Sequence, residues 1–136
     1  MKNTIIAMAL LCTISCTAQN VPVAVKNAFA KSFPNTAVKK WDKEDGNYEA
    51  NFSKDGKTMS ATFDANGNWK ETETDIQVGE LPEAVVSYVK SNYKGATIKE
   101  AAVLSNTESK KMYEAEVKGK DLLFDENGKF IKEEAD

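Results

Sequence analysis

The sequence contains neither histidine nor arginine, and its 18 basic residues are all lysines, set against 21 aspartates and glutamates. Because histidine is absent, the Ser-His-Asp and Cys-His nucleophile systems, histidine metal ligands and an imidazole pH switch are excluded. Because arginine is absent and the formal net charge is -3, the bidentate contacts that bind phosphate and guanine are missing as well. The composition therefore argues against these enzyme classes and against a nucleic-acid partner.

Cysteine is almost as scarce. The chain has two cysteines, Cys12 and Cys16, and both lie near its N-terminus. The remainder has no cysteine, so a folded body there must be stable without disulfides. With 136 residues, of which 41% are hydrophobic and 29% charged, the chain is long enough for one domain or for two very small modules that share a core.

The N-terminus has the features of a signal peptide, predicted over residues 1–18. Lys2 supplies the positive start, the apolar run from Ile5 to Ile14 follows, and small residues allow cleavage after Ala18. The run is shorter than the roughly 20 apolar residues that cross a bilayer. We therefore expect a periplasmic or secreted protein. The alternative is a lipoprotein anchored at Cys16, and only in that case do we expect the membrane as a partner.

The rest of the chain contains an internal repeat. The segment Val21-Pro22-Val23-Ala24-Val25 recurs as Leu81-Pro82-Glu83-Ala84-Val85, at an offset of about 60 residues. The segment Phe63-Asp64-Ala65-Asn66-Gly67-Asn68-Trp69 recurs in the same way as Phe124-Asp125-Glu126-Asn127-Gly128-Lys129-Phe130. We therefore predict one repeat over residues 21–75 and a second over residues 80–136.

Each repeat is predicted to begin with a helix, because apolar residues recur every four positions. The stripe is Val21, Val25, Phe29 and Phe33 in the first repeat, and Leu81, Val85, Val89 and Tyr93 in the second. Pro22 and Pro82 suit the first helical position, and Pro34 and Gly95 end the helices.

After each helix the hydrophobic period changes to two, and Asp-Gly and Asn-Gly pairs separate the alternating runs. A two-residue turn at Asp55-Gly56 makes one face apolar; its pairs are Phe52 with Met59, Ala50 with Ala61, and Tyr48 with Phe63. A two-residue turn at Asp45-Gly46 likewise places Trp41 beside Ala50. Three-residue loops would pair Phe63 with Trp69 and Phe124 with Phe130. We predict an α+β fold: a tandem duplication of a helix followed by a three- to four-stranded antiparallel meander, with the helices on one face of the sheet.

This tandem, with Phe-Asp-x-Asn-Gly-x-Trp/Phe closing each copy, resembles the PepSY-like family of small bacterial periplasmic proteins. That family is related in fold to the β-lactamase-inhibitor proteins, and the resemblance covers essentially all of the chain after the signal peptide. It implies a non-enzymatic role, inhibitory or otherwise protein-binding, with the exposed sheet face as the contact surface. The chain lacks a counterpart of the loop residues with which β-lactamase-inhibitor proteins block their enzyme.

No motif predicts a catalytic residue, a metal ligand or a cofactor. The Asp64 and Asp125 segments resemble the start of a calcium loop, but their glycine stands fourth rather than sixth, which is typical of a hairpin turn. Pairs such as Glu71 and Glu73 fall on predicted strands, where two carboxylates do not face each other across a cleft as glycoside hydrolysis requires. We therefore predict that the protein is not an enzyme.

Two function classes remain. The first is a protein-binding or inhibitory module, whose partner would be an envelope or extracellular protein; an envelope stress or accessory protein without a tight ligand has the same sequence features. Its candidate contact face is Glu49, Asn51, Ser60, Thr62, Lys70 and Thr72, with Glu114, Glu116 and Leu123 in the second repeat. The alternative is a small-ligand or lipid carrier with a pocket between helices and sheet. A cavity above about 300 Å³ lined by Phe29, Phe52, Val89 and Phe124 would favour the carrier.

Overall fold

The computed structural model describes residues 20–108 and 111–135. The predicted signal peptide, its cleavage site and the alternative lipid anchor at Cys16 lie outside the described residues. Within the described part of the chain, no helix combines the length and the apolar character that a membrane crossing requires.

The described elements follow one another as two α-helices and eight strands. They are α1 (Val23–Ser32), β1 (Val38–Glu44), β2 (Asn47–Lys54), β3 (Lys57–Phe63), β4 (Trp69–Ile76), α2 (Glu83–Asn92), β5 (Ile98–Asn106), β6 (Met112–Val117), β7 (Lys120–Phe124) and β8 (Phe130–Ala135), with a short 3₁₀ helix (Val78–Glu80) before α2.

The predicted α+β class, a tandem of a helix and a three- to four-stranded meander, is wrong. The structure is mostly β: one sheet holds all eight described strands in the order β1 to β8, while each α-helix has only ten residues. Part of the physical reason is local. Each helix ends after less than three turns, whereas every short turn returns the chain beside the strand just completed, so most residues enter the sheet.

The chain divides into two compact units, which we name by their helices. The α1 unit comprises residues 20–75, 103–108 and 111 of the described chain, and the α2 unit comprises residues 76–102 and 112–135. In the α1 unit, the Thr107 backbone N–H donates to the Lys70 carbonyl over 3.2 Å. Neither unit is one continuous stretch of chain. The predicted repeats, by contrast, are continuous stretches of sequence, and their boundaries stay a prediction.

The predicted pairing in the α1 unit is confirmed. Phe52 pairs with Met59 and Ala50 with Ala61 across β2 and β3, and Trp41 pairs with Ala50 across β1 and β2. Both residues of the Asp55-Gly56 turn have positive φ, 51° and 76°, as the predicted two-residue hairpin turn requires.

The core of the α1 unit lies between α1 and the apolar side of these strands. Val25 and Phe52 are fully buried and Phe29 is nearly so. The Phe29 ring meets that of Phe52 edge-on, with 5.0 Å between ring centroids. Helix α1 begins one residue later than predicted, because Pro22 is its N-cap; the Pro22 carbonyl accepts hydrogen bonds from the backbone N–H groups of Val25 and Lys26.

The α2 unit has a similar core. Val85 and Val89 of α2 are buried, and Phe124 pairs with Phe130 across β7 and β8 as predicted. The Tyr88 ring stacks on that of Phe130 at 4.6 Å and 9° and meets Phe124 edge-on. These contacts fix α2 on the strands that it covers.

Candidate functional site

The strands of the α1 unit have a polar side, opposite the side that α1 covers. Directly opposed residues share a face, and the register places Glu49 opposite Thr62, and Asn51 opposite Ser60. These four predicted contact residues are therefore brought together, and all four are half-buried. We call this side the β1–β4 outward face; its central residues are Lys40, Asp42, Glu49, Asn51, Ser60, Thr62, Glu71 and Glu73.

The prediction placed Thr72 on this face, and the structure places it on the other side. Thr72 pairs with Ala61, a buried residue, and the indole N–H of Trp69 donates to its hydroxyl over 2.8 Å. The cause is a β-bulge, since the register shifts between Thr62 and Phe63 and leaves Lys70 as the extra residue of β4.

The bulge reverses the side of every residue that follows it in β4. Glu71 lies opposite Thr62, and Glu73 lies opposite Ser60, so both carboxylates belong to the outward face. Strict alternation from Trp69 places Glu71 and Glu73 on the covered side. The bulge inserts one extra residue into β4, so the residues after it lie on the side opposite to the one that alternation predicts. Lys70 itself is exposed at the bulge, where its backbone carbonyl accepts the hydrogen bond from Thr107.

The second group of predicted contact residues combines two half-buried carboxylates with a buried leucine. In the α2 unit, Glu114 pairs with Leu123 and Glu116 with Asp121, but Leu123 is 1% exposed and Asp121 is 7% exposed. The Glu116 carboxylate accepts from the Lys99 ammonium at 3.0 Å. Leu123 is therefore a packed residue rather than a contact residue, and the placement of Leu123 on an exposed face is wrong.

Hydrogen bonds hold the side chains of the β1–β4 outward face. The Asn51 amide donates to the Asp42 carboxylate over 3.0 Å, and the Lys40 ammonium forms an ion pair with the same carboxylate at 2.7 Å. Ser60 is hydrogen-bonded to the Glu49 side chain. Neighbouring strands thus present their polar groups in a defined arrangement rather than as freely rotating side chains.

Glu49 lies in an unfavourable electrostatic environment. Burial raises the pKa of its carboxyl above the ordinary value of 4.5, and the negative charges of Asp42 and Glu44 raise it further. The hydrogen bond with Ser60 and the charge of Lys40 act in the opposite direction but do not cancel these effects. Burial also raises the pKa of Asp75, near the end of β4. Ionised Glu49 is therefore held on this face at a cost in free energy.

The side chains named for a carrier pocket are packed against neighbours instead. Phe29, Phe52, Val89 and Phe124 are each at most 4% exposed. A concavity of about 510 Å³ does exist in the α2 unit, but it is an open groove and its lining is different: Ala84, Ser87, Tyr88, Ser91, Asn92, Gly128, Lys129 and Phe130. These contacts give no support to a carrier whose pocket lies between the core residues.

The segments that resemble a calcium loop form hairpin turns. The Asp64 carboxylate accepts hydrogen bonds from the backbone N–H groups of Asn66 and Asn68, both at 2.9 Å, and from the Asn68 amide at 2.8 Å. The hydrogen bonds from Asn68 and Asn66 lower the pKa of Asp64. Asp125 accepts the equivalent backbone bonds. Among residues 20–108 and 111–135, no three acidic, histidine or cysteine side chains are grouped as a metal ion would require.

Comparison with known proteins adds to this description. No curated protein matches the sequence. The solved structure of a BLIP-like protein from Bacteroides fragilis NCTC 9343 is 32% identical, with a TM-score of 0.68 over 82% of this chain and 84% of that chain. That of a "putative periplasmic" protein from Bacteroides eggerthii DSM 20697 is 19% identical, with a TM-score of 0.77 over 85% and 89% of the two chains, and shows the shared fold.

A family model supplies the assignment. The model described as "Putative beta-lactamase-inhibitor-like, PepSY-like" matches residues 12–60 and 46–132. Its matches cover most of the chain, and the resemblance inferred from the repeated Phe-Asp-x-Asn-Gly-x-Trp/Phe segments is confirmed. The chain belongs to the PepSY-like family.

Proposed function

We propose that this protein is a non-enzymatic periplasmic protein that binds another protein through the β1–β4 outward face. The observation that carries the proposal is the ordered polar surface on one side of the strands whose other side forms the core of the α1 unit. Glu49, Asn51, Ser60 and Thr62 are adjacent, half-buried and, at Glu49, Asn51 and Ser60, tied by side-chain hydrogen bonds.

An ordered polar surface suits protein binding because less side-chain freedom is lost when the partner arrives. The face lacks the aromatic anchors that dominate many tight interfaces, so its specificity would come from charged groups and hydrogen bonds. The periplasmic description of the Bacteroides eggerthii protein supports the location. The family description supports inhibition of an enzyme as one form that such binding takes, although no particular enzyme is indicated.

Site-specific photocrosslinking in the native host tests this proposal. A benzophenone amino acid replaces Ser60 or the exposed Thr58, its neighbour along β3, in separate variants. The matched control replaces Lys26, which is exposed on α1. We expect one discrete covalent protein adduct from the β3 positions and none from Lys26. Equal adducts from all three positions, or none from β3, would contradict binding through this face.

A further inference from the structure

The strands of the α1 unit separate charge by face. Across β1 to β4 the register places every carboxylate on the outward side: Asp42, Glu44, Glu49, Glu71, Glu73 and Asp75. The lysines divide differently, since Lys43, Lys54 and Lys57 lie on the side that α1 covers. The ammonium groups of Lys43 and Lys54 there lie over the rings of Tyr48 and Phe33.

Fewer lysines than carboxylates lie on the outward side of β1 to β4, and Lys70 is exposed at the bulge in β4. Lys40 lies on the outward side and is paired with Asp42, and Lys39, at the register shift in β1, donates a hydrogen bond to the Ser53 hydroxyl. The remaining positions between the charges are amide and hydroxyl side chains, including Asn51, Ser60 and Thr62. The outward face is therefore a hydrogen-bonding surface with a clear excess of negative charge.

We infer that the partner surface recognised by the β1–β4 outward face is a lysine- or arginine-rich segment of a protein. This inference rests on the proposed function and adds the chemistry of the partner to it. Charge complementarity supports the choice, because like charges gathered on one side of a sheet repel one another and a cationic partner relieves that repulsion. Backbone carbonyl groups and hydroxyls of such a segment would meet the amide and hydroxyl side chains between the carboxylates.

The electrostatics of Glu49 agree with this assignment. Burial and the neighbouring charges of Asp42 and Glu44 disfavour its ionised form, and a cation placed beside it would favour that form. Residues that lower stability in the free protein while improving binding are common at functional surfaces.

A titration with a defined probe tests the partner's chemistry. The probe is a synthetic 12-residue peptide of alternating lysine and serine, and the control peptide has glutamate in place of lysine. Each peptide is added to the isotope-labelled protein, purified in the form that its host produces. The backbone amide chemical shifts are followed by NMR. We expect shifts at Asn51, Ser60 and Thr62 with the lysine peptide only, and none at Asn27 on the exposed side of α1.

The charge dependence is tested by paired variants with equal net charge. The double variant Glu49→Gln/Glu71→Gln removes two carboxylates of the face and should weaken peptide binding roughly three- to tenfold. The control Glu83→Gln/Glu126→Gln removes two exposed carboxylates of the α2 unit and should leave binding within about twofold. Raising NaCl from about 20 to about 300 mM shortens the screening length from roughly 20 to 6 Å. It should therefore also weaken binding of the lysine peptide to the wild type.

Several outcomes overturn the inference. Equal binding of the glutamate peptide, equal effects of the two double variants, or magnesium chloride reproducing the same shifts at equal ionic strength would each do so. Photocrosslinking separates this failure from failure of the proposed function. If the adduct at Ser60 persists in Glu49→Gln/Glu71→Gln, the face binds a protein and only the basic character of the partner is wrong. If no adduct forms although the peptide binds, the proposed function fails.

Discussion

At the scale of single residues, Glu49 illustrates how a strand can carry a charge that does not favour folding. The residues on either side of it, Tyr48 and Ala50, are buried, so its backbone position is fixed by the core. Its side chain must then occupy the outward face beside Asp42 and Glu44, where burial and like charge raise its pKa. Its position follows from the alternation of the strand rather than from favourable electrostatics.

Replacement of Glu49 should therefore change stability in a pH-dependent way. Because the folded-state pKa is raised, folding takes up protons between the ordinary and the raised value, and the stability of the wild type falls as the pH rises through that interval. Glu49→Gln should be more stable than the wild type at pH 7, and its advantage should disappear below a pH of about 4.5.

Urea unfolding between pH 4 and pH 8 measures this difference. The exposed turn residue Glu126 provides the control, since Glu126→Gln also removes one negative charge but leaves the outward face unchanged. A Glu49→Gln variant that is less stable than the wild type at pH 7 would show that the carboxylate makes favourable contacts that outweigh its burial.

The apolar residues of the same strand give a second prediction at this scale. Phe52 is fully buried between α1 and the sheet, so Phe52→Ala should lower the free energy of unfolding by about 3–5 kcal/mol. Val23→Ala, at a residue 72% exposed on α1, should change it by less than about 0.5 kcal/mol. Equilibrium urea denaturation of both variants checks the contrast, and similar losses would mean that Phe52 lies outside the cooperative core.

At the scale of elements, the three-residue turns do more than reverse the chain. Gly67 has a φ of 84°, and a Cβ placed on it would lie 2.6 Å from the backbone oxygen of Ala24 in α1. The β3–β4 turn therefore packs directly on the helix, so glycine is required there for both its conformation and its size. Gly128 also lies against a helix, since a Cβ placed on it would be 2.9 Å from the side-chain Cβ of Ala84 in α2.

Gly56 and Gly67 have similar backbone conformations, so comparing them separates the need for a left-handed conformation from the need for a small residue. Gly56, in the β2–β3 turn, has a φ of 76°, and a Cβ placed on it would meet nothing within 4 Å. Gly56→Ala should cost about 1–2 kcal/mol for its left-handed backbone alone. Gly67→Ala should cost about 1–3 kcal/mol more, because α1 must also move away from the turn.

Thermal or urea unfolding of the two alanine variants provides the measurement. Gly79→Ala, which has no positive φ and no close neighbour, serves as the reference substitution. Equal losses at Gly56 and Gly67 would show that the turn does not press on α1.

At the scale of the whole molecule, the compact units and the order of the chain do not coincide. The α1 unit contains residues 103–108 as well as residues 20–75, and Thr107 is hydrogen-bonded to Lys70 within it. A small domain buries only just enough surface to fold. Removal of a segment that is distant in sequence should therefore lower the stability of the whole unit.

Fragments test this dependence. A fragment of residues 20–75 should unfold at lower temperature and less cooperatively than a fragment of residues 20–111, because only the longer one contains the segment that completes the α1 unit. Circular dichroism melts and amide hydrogen exchange of β4 residues measure the difference. Equal stability of the two fragments would mean that residues 103–108 contribute little to the unit.

Local sequence was sufficient for the helical stripes, the Asp-Gly turns and the pairing of β2 with β3, because each depends on residues close to one another along the chain. Asp55 and Gly56 define one turn, and that turn alone aligns Phe52 with Met59. Four of the contact residues on the outward face, Glu49, Asn51, Ser60 and Thr62, follow from the same register. Their adjacency was therefore predictable, whereas their role in binding stays a proposal.

Other features depend on contacts between distant segments and were not predictable from periodicity. The bulge at Lys70 moves Thr72 to the covered side and Glu71 to the outward face. Alternation predicts Leu123 as an outward residue, yet the folded chain buries it. The predicted fold class failed for the same reason: hydrogen bonding between strands assembles the eight-stranded sheet, and a sequence specifies where strands begin and end more directly than which edges they will share.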